Sequence, residues 1–214
     1  MLSDVLLIND DFKKLSNSLF EYIEPIRDNR RWVIAIAGES GSGKSVLTHC
    51  LSMCYKAIGL KAKPLHTDNY YKTLPEERTE WRKKNGPLAI GSDEYDWDVL
   101  NDNIKSFRNA AVAEDMPCVE LLTNTVDRLT TDFANIDVLI VEGLYAMRVA
   151  DADMRIFIDI PYYKSLKAQT MRGKETLDDF REIVLAREHE EVLATKELSD
   201  VVVSLQDNEY LFKV

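Results

Sequence analysis

The chain has 214 residues, is 45% hydrophobic and 30% charged, and carries 27 Lys and Arg against 37 Asp and Glu, a net charge of −10. This length and composition predict one folded domain with a buried core. The acidic balance argues against nucleic acid or an anionic membrane surface as the main partner. It does not exclude a nucleotide, because a local group of backbone N–H donors can bind phosphate on an acidic protein.

The cysteines indicate a reducing compartment. There are three of them, Cys50, Cys54 and Cys118, and none forms a C-x-x-C pair. An odd number of unpaired thiols favours buried, inert cysteines. No segment resembles a signal peptide or reaches transmembrane length. We therefore expect a cytoplasmic protein without a membrane partner.

Residues 1–31 predict an N-terminal helical segment. Asp10 and Asp11 are candidates to cap a helix, and Pro25 ends it. The predicted apolar face of this helix contains Phe12, Leu15, Leu19, Tyr22 and Ile23. We expect the segment to cover one side of a sheet and to carry no chemistry.

A short apolar run at 32–37 predicts a buried strand, and helical apolar spacing follows in 46–55. Between them, Gly-Glu-Ser-Gly-Ser-Gly-Lys-Ser at 38–45 matches the pattern G-x-x-x-x-G-K-[ST]. Glycines let the backbone N–H groups and the helix N-terminus surround an anion. The predicted residues of this phosphate-binding loop are Gly38, Glu39, Ser40, Gly41, Ser42, Gly43, Lys44, Ser45 and Val46.

The loop chemistry predicts roles for two side chains. Lys44 would reach the β- and γ-phosphates of a nucleotide as a point charge. The hydroxyl of Ser45 would ligate Mg²⁺.

A second strand is predicted at 61–65, followed by His66 and then Asp68. In an open parallel sheet, functional groups gather at the carboxyl ends of strands, and Asp68 lies at such an end. Asp68 could instead cap the turn that follows it. The polar stretch 74–90 predicts an excursion with a short helix at 76–84, and another helix is expected from Trp97 to Phe107.

The remaining elements alternate between strands and helices. Strands are predicted at 117–122, 136–141, 154–160, 200–205 and 210–214, and helices at 162–172 and 177–194. Residues 123–131 predict a polar connector, with a hairpin as the alternative. The alternation predicts a parallel sheet with helices on both faces. Glu142 directly follows the strand at 136–141, where a carboxylate suits the metal side of a phosphate-binding site. The alternative is an ordinary acid at a strand end.

Four segments together resemble the uridine kinase and phosphoribulokinase branch of phosphate-loop kinases. They are residues 38–45, 68–72, 95–96 and 141–143, in the family's order across roughly residues 30–205. The resemblance implies a single domain with the three-layer P-loop NTPase fold, a lid at about 161–182, and ATP and Mg²⁺ as donor and cofactor. It implies a small-molecule phosphate acceptor, nucleoside-like or sugar-like.

The resemblance also implies residue roles. Asp68 matches the aspartate that accepts the proton of the attacking hydroxyl, Tyr71 lines the acceptor pocket, and Asp96 binds sugar hydroxyls. Arg172 matches an arginine of the lid and, with Asp68 and Lys44, completes the expected catalytic set. The expected metal-side residues are Ser45, Glu142 and Asp68.

Several of these residues have structural alternatives. Asp96 could be the N-cap of the helix starting at Trp97. Tyr70 and Tyr71 could be core aromatics, and Arg172 could belong to a surface ion pair.

The sequence departs from the family at two places. Val119 and Asn124 replace the tyrosine and histidine that contact the base in uridine kinases. The lid looks short, and Gln169 stands where an arginine is expected. These changes weaken the prediction that uridine is the acceptor. The prediction that the protein is a kinase is unaffected.

Two alternatives to a kinase stay open. One is a nucleotide-binding regulatory or switch ATPase without a small-molecule acceptor, and the other is a degenerate family member kept for its interactions. The absence of an N-K-x-D motif counts against a GTPase. The family often forms oligomers, so a homo-oligomer is possible.

Overall fold

The computed structural model describes residues 6, 8–164, 179–206 and 209–214. The helices are α1 Asp10–Ile23, α2 Lys44–Ala57, α3 Pro75–Asn85, α4 Trp97–Arg108 and α5, described over Asp179–Leu193. The strands are β1 Trp32–Gly38, β2 Ala62–His66, β3 Glu114–Glu120, β4 Thr125–Thr131, β5 Val138–Gly143, β6 Met154–Asp159, β7 Val201–Gln206 and β8 Glu209–Lys213. The expected helix at 162–172 is described only over 162–164, where it is helical.

Six strands form one sheet in the order β2-β5-β1-β6-β7-β8. All pairs are parallel except β7 with β8, which is antiparallel. The central strands β1 and β5 are buried along their whole length, which explains why they read as continuous apolar runs. The predicted α/β class is therefore confirmed.

Helices cover both faces of this sheet. On one face, Ile34 and Ile36 of β1 pack in a core with α1 and α2. On the other, Val33 of β1 packs with Leu100 and Ile104 of α4. Successive side chains of a strand point to opposite faces, so β1 supplies both cores and the domain has three layers.

Helix α1 covers the sheet as predicted, but its N-cap was predicted wrongly. The side chain of Asn9 accepts a hydrogen bond from the backbone N–H of Phe12 at 2.9 Å, so Asn9 is the N-cap. Asp10 and Asp11 lie in the first turn, where acids favour the positive end of the helix dipole.

The predicted connector at 123–131 is the turn and second strand of a hairpin. β3 and β4 pair antiparallel as a separate two-stranded sheet, with β3 starting three residues earlier than expected. Asn124 has a φ of 50°, a left-handed conformation that asparagine tolerates in turns. Among the described residues, no helix combines the length and apolar character needed to span a bilayer.

Candidate active site

The phosphate-binding loop lies between β1 and α2. Gly43 is the N-cap of α2 with a φ of 97°, a left-handed conformation that disfavours any side chain. A Cβ atom on Gly43 would also lie 2.1 Å from Cζ of Phe12. Helix α1 therefore packs directly against the loop, a contact that sequence reasoning missed.

Two side chains of the loop fit a bound phosphate chain. Nζ of Lys44 donates a 2.9 Å hydrogen bond to the carbonyl oxygen of Glu39, so the ammonium group lies over the loop backbone. The hydroxyl of Ser42 is buried, and no described residue hydrogen-bonds to it. A buried polar atom without a partner is costly unless a ligand or water satisfies it.

Ser45 and Glu142 are in contact at the metal side of this loop. The hydroxyl of Ser45 donates to Oε1 of Glu142 at 2.8 Å, and Nδ1 of His66 lies 2.5 Å from the same oxygen. Burial alone would raise the pKa of Glu142, but hydrogen bonds from His66 and Ser45 and the charge of Lys44 lower it to about 2. Glu142 is therefore an anion in the neutral range.

Gly143 lets the tips of β2 and β5 approach closely. A Cβ atom on Gly143 would lie 1.7 Å from Oγ1 of Thr67, the first residue after β2. In the Glu-Gly pair, a carboxylate is therefore followed by a position that only glycine can occupy without a clash. The contact brings the segment containing Asp68 beside Glu142.

Asp68 lies in the short 3-10 helix Thr67–Tyr70 that follows β2. Its Oδ1 accepts a hydrogen bond of 3.4 Å from the hydroxyl of Tyr95. Asp68 is partly buried, and its carboxylate has no ion pair among the described residues. It is therefore available to a hydroxyl group of a ligand.

Tyr71 lies in an aromatic group beside Asp68. Its ring centre is 4.1 Å from that of Tyr95 and 3.3 Å from Cζ of Arg78. Burial and the nearby Asp68 carboxylate raise the pKa of Tyr71. Tyr70 is a core residue, 2% exposed, and donates to Oδ1 of Asn103 at 2.8 Å.

Asp96 acts as a helix cap. It is the N-cap of α4, and its Oδ1 accepts from the backbone N–H of Val99 at 3.1 Å. This confirms the capping alternative, and the sugar-binding role of Asp96 stays a prediction. The predictions for Arg172 and Gln169, and most of the lid at 161–182, fall on residues 165–178, which lie outside the described residues.

The side chains of Glu39 and Val46 are engaged in the fold, and the place of both residues in the phosphate-binding loop stays a prediction. Glu39 is 4% exposed, and its carboxylate contacts His189 of α5 at 2.8 Å and accepts from the backbone N–H of Tyr162 at 2.9 Å. Val46 is a core residue, 2% exposed. A bound phosphate could therefore contact these two residues only through their backbone atoms. The link from Glu39 to His189 spans 150 positions, and no local pattern could have revealed it.

Magnesium would be held by few protein atoms. Over the described ranges, no three His, Cys, Asp or Glu side chains form a metal-binding group. Mg²⁺ does not need such a group, because it is commonly bound by one or two carboxylates together with substrate phosphates and waters. Ser45 and Glu142, which are in contact, place one hydroxyl and one carboxylate where such an ion could bind.

The parallel sheet, the glycine loop and the acids at neighbouring strand tips define a P-loop kinase-type protein. A model of the phosphoribulokinase / uridine kinase family matches residues 33–175. The chain therefore belongs to this family, whose members are kinases of small metabolites.

Individual relatives agree with this assignment. The uridine kinase of Macrococcus caseolyticus (strain JCSC5402) is 28% identical over 189 residues, covering 80% of this chain and 86% of that protein. The structure of a possible uridine kinase from Bacillus stearothermophilus has a TM-score of 0.62 at 18% identity and covers 89% of this chain and 97% of that one. A Rhodobacter spheroides phosphoribulokinase has a TM-score of 0.59 at 14% identity, covering 85% and 73%. At these identities the structural likenesses show the fold.

Proposed function

We propose that the protein is an ATP-dependent kinase that transfers the γ-phosphate to a hydroxyl of a small metabolite. The observation that carries the proposal is the meeting of Lys44, Ser45 and Glu142 at one edge of the sheet, with Asp68 beside them at the tip of β2. Phosphoryl transfer needs this combination, because a cation and a metal neutralise the phosphates while a carboxylate orients the acceptor.

Each residue has a distinct role in this proposal. The loop backbone and Lys44 would hold the triphosphate of ATP, and Ser45 and Glu142 would hold Mg²⁺. When bound, Mg²⁺ would supply positive charge that stabilises the transferred phosphoryl group. Asp68 accepts the proton of the attacking hydroxyl, and the hydrogen bond from Tyr95 orients its carboxylate.

A pyrimidine nucleoside is a weaker candidate for the acceptor. The two residues that replace base-contacting side chains of uridine kinases have structural roles here. The backbone N–H of Val119 donates to Oδ1 of Asn69 at 3.1 Å, and Oδ1 of Asn124 accepts from the backbone N–H of Glu76 at 3.2 Å. These contacts tie the β3–β4 hairpin to the segment after β2 and to α3. The side chain of Val119 has no hydrogen-bonding group, and the side-chain oxygen of Asn124 is already engaged.

The test is turnover with ATP and Mg²⁺ over uridine, cytidine, ribose, ribulose 5-phosphate, pantothenate and D-glycerate. Asp68→Asn should lower kcat by roughly a hundredfold or more while ATP affinity is kept, because it removes only the proton acceptor. Asp98→Asn, an exposed position in the first turn of α4, is the matched control. Binding of ATP without phosphorylation of any acceptor, together with slow hydrolysis indifferent to Asp68→Asn, would favour a switch ATPase instead.

A cytoplasmic location belongs to the same proposal. It is supported by the three cysteines, which are all free thiols.

A further inference from the structure

Arg78 of α3 lies beside the proposed acceptor site and has no acidic partner in the part of the chain that the structure describes. Among the described residues, no carboxylate lies within ion-pairing distance of its guanidinium group, and its buried Nε has no hydrogen-bond partner. A buried guanidinium N–H without a partner is unfavourable. Its presence points to a ligand that supplies the missing acceptor.

Arg82, one turn further along the same helix face, shows the contrast. Its guanidinium makes two hydrogen bonds to Glu94, at 2.7 and 2.8 Å, and lies 3.1 Å from Oε1 of Glu188. Arg82 is 5% exposed and is fully used in joining α3 to α5. The two arginines are four residues apart and therefore neighbours on α3. Within the described ranges, Arg82 has carboxylate partners and Arg78 has none.

The position of Arg78 is fixed by stacking. Its Cζ lies 3.3 Å from the ring centre of Tyr71, a separation that requires the guanidinium to lie flat on the ring. Tyr95 stacks at 4.1 Å and must occupy the opposite face. A flat guanidinium keeps its N–H donors at its rim, where they can bind an oxyanion through two bonds. Because both faces of Tyr71 are covered, its ring cannot stack on a nucleobase.

Arg78 is also connected to Asp68. Tyr95 stacks on Tyr71 and donates to Oδ1 of Asp68, so the order of contacts is Arg78, Tyr71, Tyr95 and Asp68. The charges of Asp68 and Arg78 both act on the Tyr71 hydroxyl. One acceptor molecule could therefore present a hydroxyl to Asp68 and an anionic group to Arg78.

We propose that the phosphate acceptor carries an oxyanion, a carboxylate or a phosphate monoester, and that Arg78 binds it. The proposal rests on the proposed kinase function. It assigns Arg78 as a residue that sets acceptor specificity and places neutral nucleosides and sugars among the poor substrates.

The experiment compares wild type, Arg78→Gln, Arg78→Lys and Lys84→Ala with the same acceptors. Wild type should prefer an anionic acceptor over uridine and ribose. D-glycerate and pantothenate test the carboxylate, and ribulose 5-phosphate tests the phosphate. Arg78→Gln should raise the KM for the preferred acceptor about 10- to 100-fold, as expected for a lost charge-assisted bond, with the KM for MgATP unchanged.

Two further variants serve as comparisons. Arg78→Lys keeps the charge without the flat fork and should recover only part of the affinity. Lys84→Ala removes an exposed cation from the same helix and should behave as wild type. Thermal unfolding checks that each variant is folded.

Three results would overturn the inference. One is a preference for uridine or ribose that Arg78→Gln leaves unchanged. Another is an equal fall in kcat for all acceptors with weaker MgATP binding, which would place Arg78 on the donor side. The third is calorimetry in which no anionic acceptor binds wild type loaded with a non-hydrolysable ATP analogue.

The outcomes separate this inference from the kinase proposal. Phosphorylation of uridine that depends on Asp68 and not on Arg78 would keep the kinase and reject the anion site. Anion binding that depends on Arg78, without turnover of any acceptor, would keep the anion site and reject the kinase.

Discussion

Nδ1 of His189 lies 2.8 Å from Oε1 of Glu39 and joins the second residue of the phosphate loop to helix α5. The other carboxylate oxygen of Glu39 accepts from the backbone N–H of Tyr162 at 2.9 Å. The loop is therefore held both to Tyr162, three residues after the end of β6, and to His189 within α5. This buried contact fixes the loop from outside its own sequence.

Replacement of Glu39 should loosen the phosphate loop. Glu39→Ala removes the buried carboxylate that contacts the Tyr162 N–H and His189, so we expect a loss of about 1–3 kcal/mol in the free energy of unfolding. The KM for MgATP should rise, because the loop backbone that holds the phosphates becomes less ordered. Urea denaturation and steady-state kinetics measure the two effects.

The control for Glu39→Ala is Glu182→Ala, which removes an exposed acid from α5. It should change stability by no more than about 0.5 kcal/mol, as most surface substitutions do. Equal effects of the two variants would mean that the buried contact of Glu39 contributes nothing.

Ser45→Ala should weaken the response to magnesium. The substitution removes both the proposed metal ligand and the donor to Oε1 of Glu142. The Mg²⁺ concentration for half-maximal activity should increase by about tenfold or more, and excess Mg²⁺ should recover part of the lost rate. Activity measured against Mg²⁺ at saturating ATP gives the value.

Ser52→Ala is the matched control, since Ser52 lies on the same helix and its hydroxyl donates to the carbonyl of Thr48, within that helix. If Ser45→Ala showed the same dependence of activity on Mg²⁺ concentration as wild type, a role for Ser45 as a metal ligand would be contradicted.

The contact of Gly43 with Phe12 predicts a strong coupling between α1 and the loop. Gly43→Ala should destabilise the protein, because its Cβ would overlap the Phe12 ring and its φ is left-handed. Phe12→Ala removes that overlap and leaves a cavity, at a cost of about 3–5 kcal/mol. In the double variant, the added cost of Gly43→Ala should be smaller than in wild type.

A double-mutant cycle from urea denaturation measures this coupling. Additive effects of the two substitutions would show that the ring and the loop do not influence each other.

The sequence predicted those parts of the structure that depend on local patterns. The runs of β1 and β5 are apolar because both faces are covered, and the glycine loop has a fixed spacing, so these elements could be predicted. The contact between Ser45 and Glu142 agrees with their expected place at one edge of the sheet, and their role as metal ligands stays a prediction. The contacts of Glu39 with His189 and of Arg78 with Tyr71 were not predicted, because they depend on how α5 and Tyr71 pack beside the site in three dimensions. Asp96 could not be assigned from the sequence, because an aspartate suits both a helix cap and a contact with a ligand.

Lys63 gives a pH dependence that is independent of catalysis. It lies in β2, and burial lowers the pKa of its ammonium group below the ordinary 10.5, opposed by a smaller effect of Cys118. Between the folded and unfolded pKa values, the unfolded chain binds more protons than the folded one. The free energy of unfolding contributed by Lys63 therefore rises as the pH increases through that window.

Lys63→Met should consequently be more stable than wild type at neutral pH, and its advantage should shrink as the pH approaches 10.5. Urea denaturation at intervals from about pH 7 to about pH 10 measures the difference. Lys61→Met, at an exposed position before the same strand, is the control and should show no such trend. A stability gain for Lys63→Met that stayed constant with pH would arise from apolar burial alone, and would contradict the assignment of a buried ammonium group to Lys63.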